Sequence, residues 1–409
     1  MGLRRFLIVF AILASFVAAI VTCTKVEKKD SRGLAYAGSA ACGKCHKNID
    51  DSYIHNAHFN ASRILSKPNS IDSLKLPEGN FIFNDRTKVG VEKRKPGLYQ
   101  IAYVDGKNRK EEHIDMVFGA GISAYTFAFW YGNKLMQMPL NYLTKEHQWV
   151  NSPGFPTDQI YFGRPIIARC LECHSSYVDK KIIQGDNFNI EEEFVKGSLI
   201  AGIDCERCHG PAAKHVEFHE ENPLVKEANY MVSYKSLALN RRIDMCGVCH
   251  SGTALQTLSS TFSFKPGDTL KTLPQYNNYT GEDADVHGKQ KQLLEASLCY
   301  KIGKAECISC HDVHSGAKLS LGIYSQKCIS CHQDVQHSNV IKMDQAVLAK
   351  NCIDCHMPLK ESKAIGFQRS NSKEKIPYKL RTHRIAIYEK ILLNNNSLSS
   401  MAGSSKHLK

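Results

Sequence analysis

A mostly α, loop-rich chain with a small β-rich insertion is the fold class this sequence predicts, on three observations. First, one five-residue phrase, Cys-x-x-Cys-His, recurs seven times, starting at Cys42, Cys170, Cys205, Cys246, Cys307, Cys328 and Cys352. Its two thiols lie about one helical turn apart. Second, the intervals between the later repeats carry helical signals, as over Asn339 to Lys350. Third, residues 65–165 lack the phrase and have another texture: Phe81-Ile-Phe, Leu98-Tyr-Gln-Ile-Ala-Tyr-Val-Asp-Gly and Ala124-Tyr-Thr-Phe-Ala-Phe-Trp-Tyr-Gly-Asn. β-branched and aromatic runs punctuated by Asp-Gly and Gly-Asn read as strands and hairpin turns. Their aromatics are expected to form a packed core, with a substrate platform as the lesser alternative.

The repeated phrase is the pattern of covalent c-type haem attachment. Two thiols at this spacing can both add to the vinyl groups of a haem, and the following His then presents a ring nitrogen to the iron. Fourteen of the sixteen cysteines belong to the phrase, leaving Cys23 and Cys299. Zinc sites use thiol pairs two at a time and need no His after each. A disulfide framework suits a short secreted chain, and iron–sulfur clusters want tighter groups of four. The reading is therefore seven covalent haems c. They are held by Cys42, Cys45, Cys170, Cys173, Cys205, Cys208, Cys246, Cys249, Cys307, Cys310, Cys328, Cys331, Cys352 and Cys355. The proximal iron ligands are His46, His174, His209, His250, His311, His332 and His356. The predicted fold is a multihaem cytochrome c wrapped around its cofactors, whose area replaces much of an apolar core.

The formal charge of +13 would suit nucleic acid or an anionic surface. The propionates of seven haems would offset it before iron is counted, each oxidised iron returning about one positive charge, so the Lys/Arg excess is read mainly as propionate partners and solvated surface. No nucleic-acid partner is expected.

In chain order, residues 1–22 read as an export signal: Arg4 and Arg5, then an apolar run from Phe6 to Val21 that is short for a bilayer span. Ile20-Val21-Thr22-Cys23 resembles a bacterial lipobox, which makes Cys23 the expected lipid anchor. Cleavage after Ala19 is the alternative. A tether over 23–35 leads to a first haem segment over 36–64, the insertion over 65–165, the main multihaem domain over 166–390 and a tail over 391–409.

Eleven His lie outside the motifs, enough for a second His at every iron. The distal candidates are His58, His215, His287, His314, His337 and His383, with His55, His113, His147 or His219 as the seventh. His314 follows His311 by three residues, and on a helix both rings project the same way. His314 is therefore expected to serve a neighbouring haem. Met357 adjoins His356 and is too close to reach the far face of that haem. Cys299 has three readings: a small buried apolar residue, a disulfide partner of Cys23, or an unusual ligand.

Several flanks carry a family resemblance. Ala40-Ala41-Cys42-Gly43-Lys44-Cys45-His46 is followed by Ser52-Tyr53-Ile54-His55-Asn56-Ala57-His58. Asp204-Cys205-Glu206-Arg207-Cys208-His209-Gly210-Pro211 precedes His215. Ser297-Leu298-Cys299-Tyr300 leads into the fifth motif, and Thr382-His383-Arg384-Ile385 follows the seventh. Here the chain resembles multihaem cytochromes c related to the tetrahaem cytochrome of ammonia oxidisers and, more remotely, hydroxylamine oxidoreductase. In that family a His about a dozen residues after the first motif is a ligand, and His58 matches the position. The seven motifs depart from the count in both relatives.

The expected function is electron relay between redox proteins or cytochromes of the cell envelope or extracellular space. The expected location is the periplasm or envelope, with lipid anchoring to the outer membrane through Cys23. Iron with two His ligands exchanges electrons without binding substrate. The alternative is an oxidoreductase acting on a small nitrogen or sulfur compound at one haem with an open axial position. No Cys-x-x-Cys-Lys variant is present, and no catalytic residue is assigned.

Overall fold

The computed structural model describes residues 30–65, 70–185, 190–252, 259–272, 284–316, 320–335, 337, 348 and 350–388. The expected export signal, the lipid anchor Cys23, most of the tether, the helix read over Asn339 to Lys350 and the tail all lie outside them or nearly so.

The expectation of a mostly α chain is overturned: the structure is 29% helix and 28% strand, with several antiparallel sheets. The motif helices are short. Cys205–His209 has five residues and Cys307–Cys310 four, and the longest described helix, Leu239–His250, has 12. Attachment demands only one turn between thiols, so nothing obliges these helices to grow, and loops join them.

The strands begin with β1 (Ser62–Ile64). Strands β2 (Gly79–Asn84), β3 (Thr87–Arg94), β4 (Gly97–Val104) and β5 (Lys107–His113) make a four-stranded antiparallel meander. Tight Asp-Arg, Lys-Pro and Asp-Gly turns join them, with Asp105 and Gly106 at positive φ between β4 and β5. Then come β6 (Met116–Phe118), β7 (Ala124–Tyr131), β8 (Lys134–Gln137), β9 (Leu140–Leu143), β10 (Gln148–Asn151) and β11 (Pro165–Ile166). Past the insertion, β12 (Ser175–Tyr177) pairs with β15 (Ile200–Ala201), and β13 (Lys180–Gln184) with β14 (Ile190–Phe194). A last hairpin, β16 (Leu359–Gln368) and β17 (Lys375–Arg381), follows the seventh motif.

The larger sheet runs β1-β6-β7-β9-β10-β16-β17, with β8 pairing β7 and β11. The C-terminal hairpin therefore extends a sheet begun within the insertion, through Asn151 opposite Gln368, whose side chains also hydrogen-bond at 2.8 Å. Period-2 alternation accounts for the inward faces. Phe81, Val89, Leu98, Phe127, Phe129, Met138, Leu140 and Trp149 form one core between meander and large sheet. The insertion's aromatics are thus largely core. Buried Gln100 ties the two sheets by both accepting from Leu140 N and donating to Leu140 O, at 2.8 and 3.0 Å.

A second core joins sheet to haem motif: Met116, Leu135 and Phe194 pack with Leu171 of the second motif. The first haem segment is fastened nearby. Ile203 N donates to His58 O and the Tyr53 hydroxyl to Ile203 O, at 2.9 and 2.8 Å. Gly202 makes that approach possible; at φ +72 its added Cβ would fall 2.0 Å from Phe59 O.

Candidate haem sites

The seven motifs are gathered into one contiguous set. Cys42 of the first lies in hydrogen-bonding contact with Cys205 of the third, Cys173 of the second with Cys249 of the fourth, and Cys246 of the fourth with Cys307 of the fifth. Cys328 of the sixth meets Cys352 of the seventh. Cys208 and Cys249 interact electrostatically, linking third to fourth, as Cys310 and Cys331 link fifth to sixth. All the described cysteines are free thiols.

Cys208 and His209 are open to solvent, yet protein surrounds them: burial pushes the Cys208 thiol up to about 11 and holds His209 down. A side chain that is accessible and still desolvated sits on an internal gap rather than an outer face. Among the described residues no three or more His, Cys, Asp or Glu converge in a way that could hold a metal ion unaided.

Pairs of imidazoles do converge. His250 and His58 have ring centroids 6.2 Å apart, His209 and His314 5.9 Å, His311 and His383 6.2 Å, and His356 and His337 6.4 Å. Each pair joins one motif His to one His outside the motifs. An ion between two imidazoles at metal–nitrogen distances of about 2 Å puts the centroids about 6 Å apart, so these spacings fit an iron clasped from both sides. Interplanar angles run from 13° for His209–His314 to 85° for His58–His250. Rotation about the axis through an iron leaves that distance unchanged.

Burial, then the neighbouring His250 and His311, lowers His58 to about 4; burial, then the same two neighbours in the reverse order, does the same to His383. Burial also lowers His174, His209, His287 and His311. These rings are held in the neutral form that binds metals. Two rings have their tautomer set as well. His356 Nδ1 donates to Ala386 O at 3.0 Å, and His215 Nδ1 to Asn229 O at 2.8 Å, leaving each Nε2 with its lone pair free.

The other candidates stand as follows. His287 approaches His174 of the second motif. Its loop is held by Asp285, which accepts from His287 N at 2.7 Å, Ser362 Oγ at 2.9 Å, Lys363 N at 2.5 Å and Ala364 N at 3.2 Å. Burial acts to raise Asp285, but those hydrogen bonds outweigh it and keep the carboxyl below its ordinary range. His215 and His219 face each other on the helix Ala213–Glu221 at 4.5 Å, and His219 Nε2 is buried without a partner. His55 lies past the end of the helix Lys47–Tyr53, against Gly316. His113 is tied to Asp115 at 2.8 Å and packs on Tyr99, while His147 occupies the β9–β10 turn at φ 50. Neither is brought to a motif.

The helical argument for His314 does not hold. The helix stops at Cys310, and His311 is already extended at φ −105, ψ 129. His314 reaches the third motif because the chain turns, not because two rings share a helix face. Cys299 is partly buried, and burial raises its thiol; Cys310 and Cys331 of the fifth and sixth motifs are its electrostatic neighbours.

Sequence reasoning missed the carboxylates beneath the third motif. Arg32 is enclosed by Asp30, Asp204 and Glu206, at 2.9, 2.7 and 3.1 Å. Glu206 also accepts from Ala37 N, Gly38 N and Ala212 N, and Asp204 caps the motif helix by accepting from Arg207 N. The one available signal was a Glu inside a Cys-x-x-Cys-His phrase, repeated at Glu172 of the second, which is buried against Arg169.

No curated protein and no solved structure matches the chain. Residues 160–210, which hold the second and third motifs, match the family model of cytochrome c554 and c-prime. In that stretch the chain is similar to multihaem c-type cytochromes, and the match supports a haem c protein of electron transfer.

Proposed function

We propose that this protein carries seven covalent haems c and relays electrons between redox proteins of the cell envelope or extracellular space. In this reading it is exported by residues 1–22 and anchored through Cys23, and its kin are the cytochromes of ammonia oxidisers and, remotely, hydroxylamine oxidoreductase. The observation that carries the relay is the set of four imidazole pairs spaced for an iron between them. Haem supplies one-electron exchange at iron. The chain's own residues fix how that happens. The motif thiols would hold the cofactors, and the paired imidazoles would bind the iron from two sides. Backbone carbonyls such as Ala386 O aim the ligating nitrogens, and burial keeps His58, His209, His311 and His383 neutral.

Substrate conversion at an open axial position is the second reading. It draws on His46 and His332, both exposed and without a second imidazole packed on them among the described residues. Haem stoichiometry with optical and paramagnetic resonance spectra of the oxidised protein tests both. Seven haems per chain, all low-spin and inert to carbon monoxide after reduction, is the expected result. A clear high-spin fraction that binds carbon monoxide would defeat the pure relay, and fewer haems would defeat the count.

One positioning effect follows from Asp285. Removing its carboxylate in Asp285→Ala strands the amides of His287 and Lys363 and loosens the His287 loop. The expected outcome is partial high-spin character at one haem, that of the second motif, with about 2 kcal/mol lost from stability. Asp285→Asn should retain part of both, because its oxygen still accepts. Unchanged spectra for Asp285→Ala would show that His287 needs no such support.

A further inference from the structure

We infer that the exposed face of the β16–β17 hairpin is the port at which an anionic electron-transfer protein docks. This rests on the relay proposed above and names its partner's chemistry. Between Leu359 and Arg381 the chain carries Lys360, Lys363, Arg369, Lys373, Lys375, Lys379 and Arg381 against only Glu361 and Glu374. Arg381 is tied to Asp354 and Lys379 to Glu361, the latter at 3.5 Å. Lys363, Lys373 and Lys375 are exposed and have no ion-pair partner among the described residues.

Position gives this charge a use. His356 of the seventh motif precedes β16, and His383, paired with the fifth motif's His311, follows β17. Through Lys363 and Ala364 the hairpin also grips Asp285, beside His287. The base of the hairpin therefore adjoins candidate ligands of three haems, with Lys363 beside the His287 loop and Lys373 and Lys375 at the turn end. At its base Leu359 is 56% and Ile387 77% exposed, giving apolar contact area next to the cations. An apolar centre with a charged rim is the make-up of a protein–protein interface. The charge steers a partner of opposite sign, which raises the association rate more than the affinity. A lipid or nucleic acid would gain nothing from the ligands beneath. In the transfer step one electron leaves the partner's reduced centre, which is oxidised by one, and one ferric iron becomes ferrous; no bond or proton is exchanged.

The test is stopped-flow reduction of the haem-loaded full chain by flavodoxin hydroquinone, a strongly acidic protein donor, with duroquinol as an uncharged small donor. Lys363→Glu/Lys373→Glu/Lys375→Glu should lower the bimolecular rate with flavodoxin at least tenfold at low salt. The gap should narrow as ionic strength rises, the Gln triple variant should fall between, and duroquinol rates should stay the same. An unchanged flavodoxin rate in a variant with parental Soret and far-ultraviolet spectra overturns the docking face and leaves the relay standing. So does a variant that loses only its co-sedimentation with phosphatidylglycerol vesicles. A purified chain without covalent haem overturns relay and port together.

Discussion

Replacing His314 by Ala is expected to strip a distal ligand from the haem at Cys205 and Cys208, and not from the haem at Cys307 and Cys310, its neighbours in sequence. His314 lies 5.9 Å from His209 with the ring planes 13° apart, whereas His311 pairs with His383. The oxidised spectrum should lose about one low-spin haem in seven and gain one high-spin haem that binds carbon monoxide once reduced. The assignment is checked by adding Cys205→Ser and Cys208→Ser, which removes that cofactor: the new high-spin signal should vanish. If it persists and is lost with Cys307→Ser and Cys310→Ser instead, the pairing is wrong.

The second large effect concerns stability. Glu206 is fully buried, accepts three backbone amides and shares Arg32 with Asp30 and Asp204. Such a group has little net worth when intact, because desolvation offsets much of its attraction, but removing one member leaves the others uncompensated. Glu206→Ala should therefore lower unfolding stability by about 3–5 kcal/mol, measured by denaturant with the Soret band as readout. Arg32→Ala should do comparable damage, by leaving three carboxylates together. A loss below about 1 kcal/mol in both would mean that water replaces the network at little cost.

The chemistry was far more legible in the sequence than the architecture. A covalent attachment phrase is local, so seven copies can be read off directly. The family match at residues 160–210 bears out the coarser part of the resemblance, a multihaem c-type cytochrome. Strand texture over Phe81 and Ala124 was local too, and strands stand there. What failed was the step from motif to fold. One turn of helix per motif was extrapolated to a mostly helical chain, whereas β12 to β17 lie beyond the insertion. The Lys375–Arg381 run alternates, but among so many charges its strand signal was faint. Distal partners depend on long-range closure, as His58 with His250 shows. No spacing rule announces that the carboxylate of Asp285 will bind a hairpin far along the chain.

The imidazole pairs have a consequence for assembly. His58 precedes the insertion while its partner His250 belongs to the fourth motif, and His383 follows the last motif while its partner belongs to the fifth. An iron held by a pair would close a loop as a cross-link does, and three of the four loops span other motifs. Loop-closure cost rises only slowly with loop length, and binding to the folded form alone is itself folding free energy. On the relay reading the metal centres would stitch remote stretches of this polypeptide together at three of the four pairs. Loading and folding would then be coupled, an unfilled site leaving two parts of the chain unjoined.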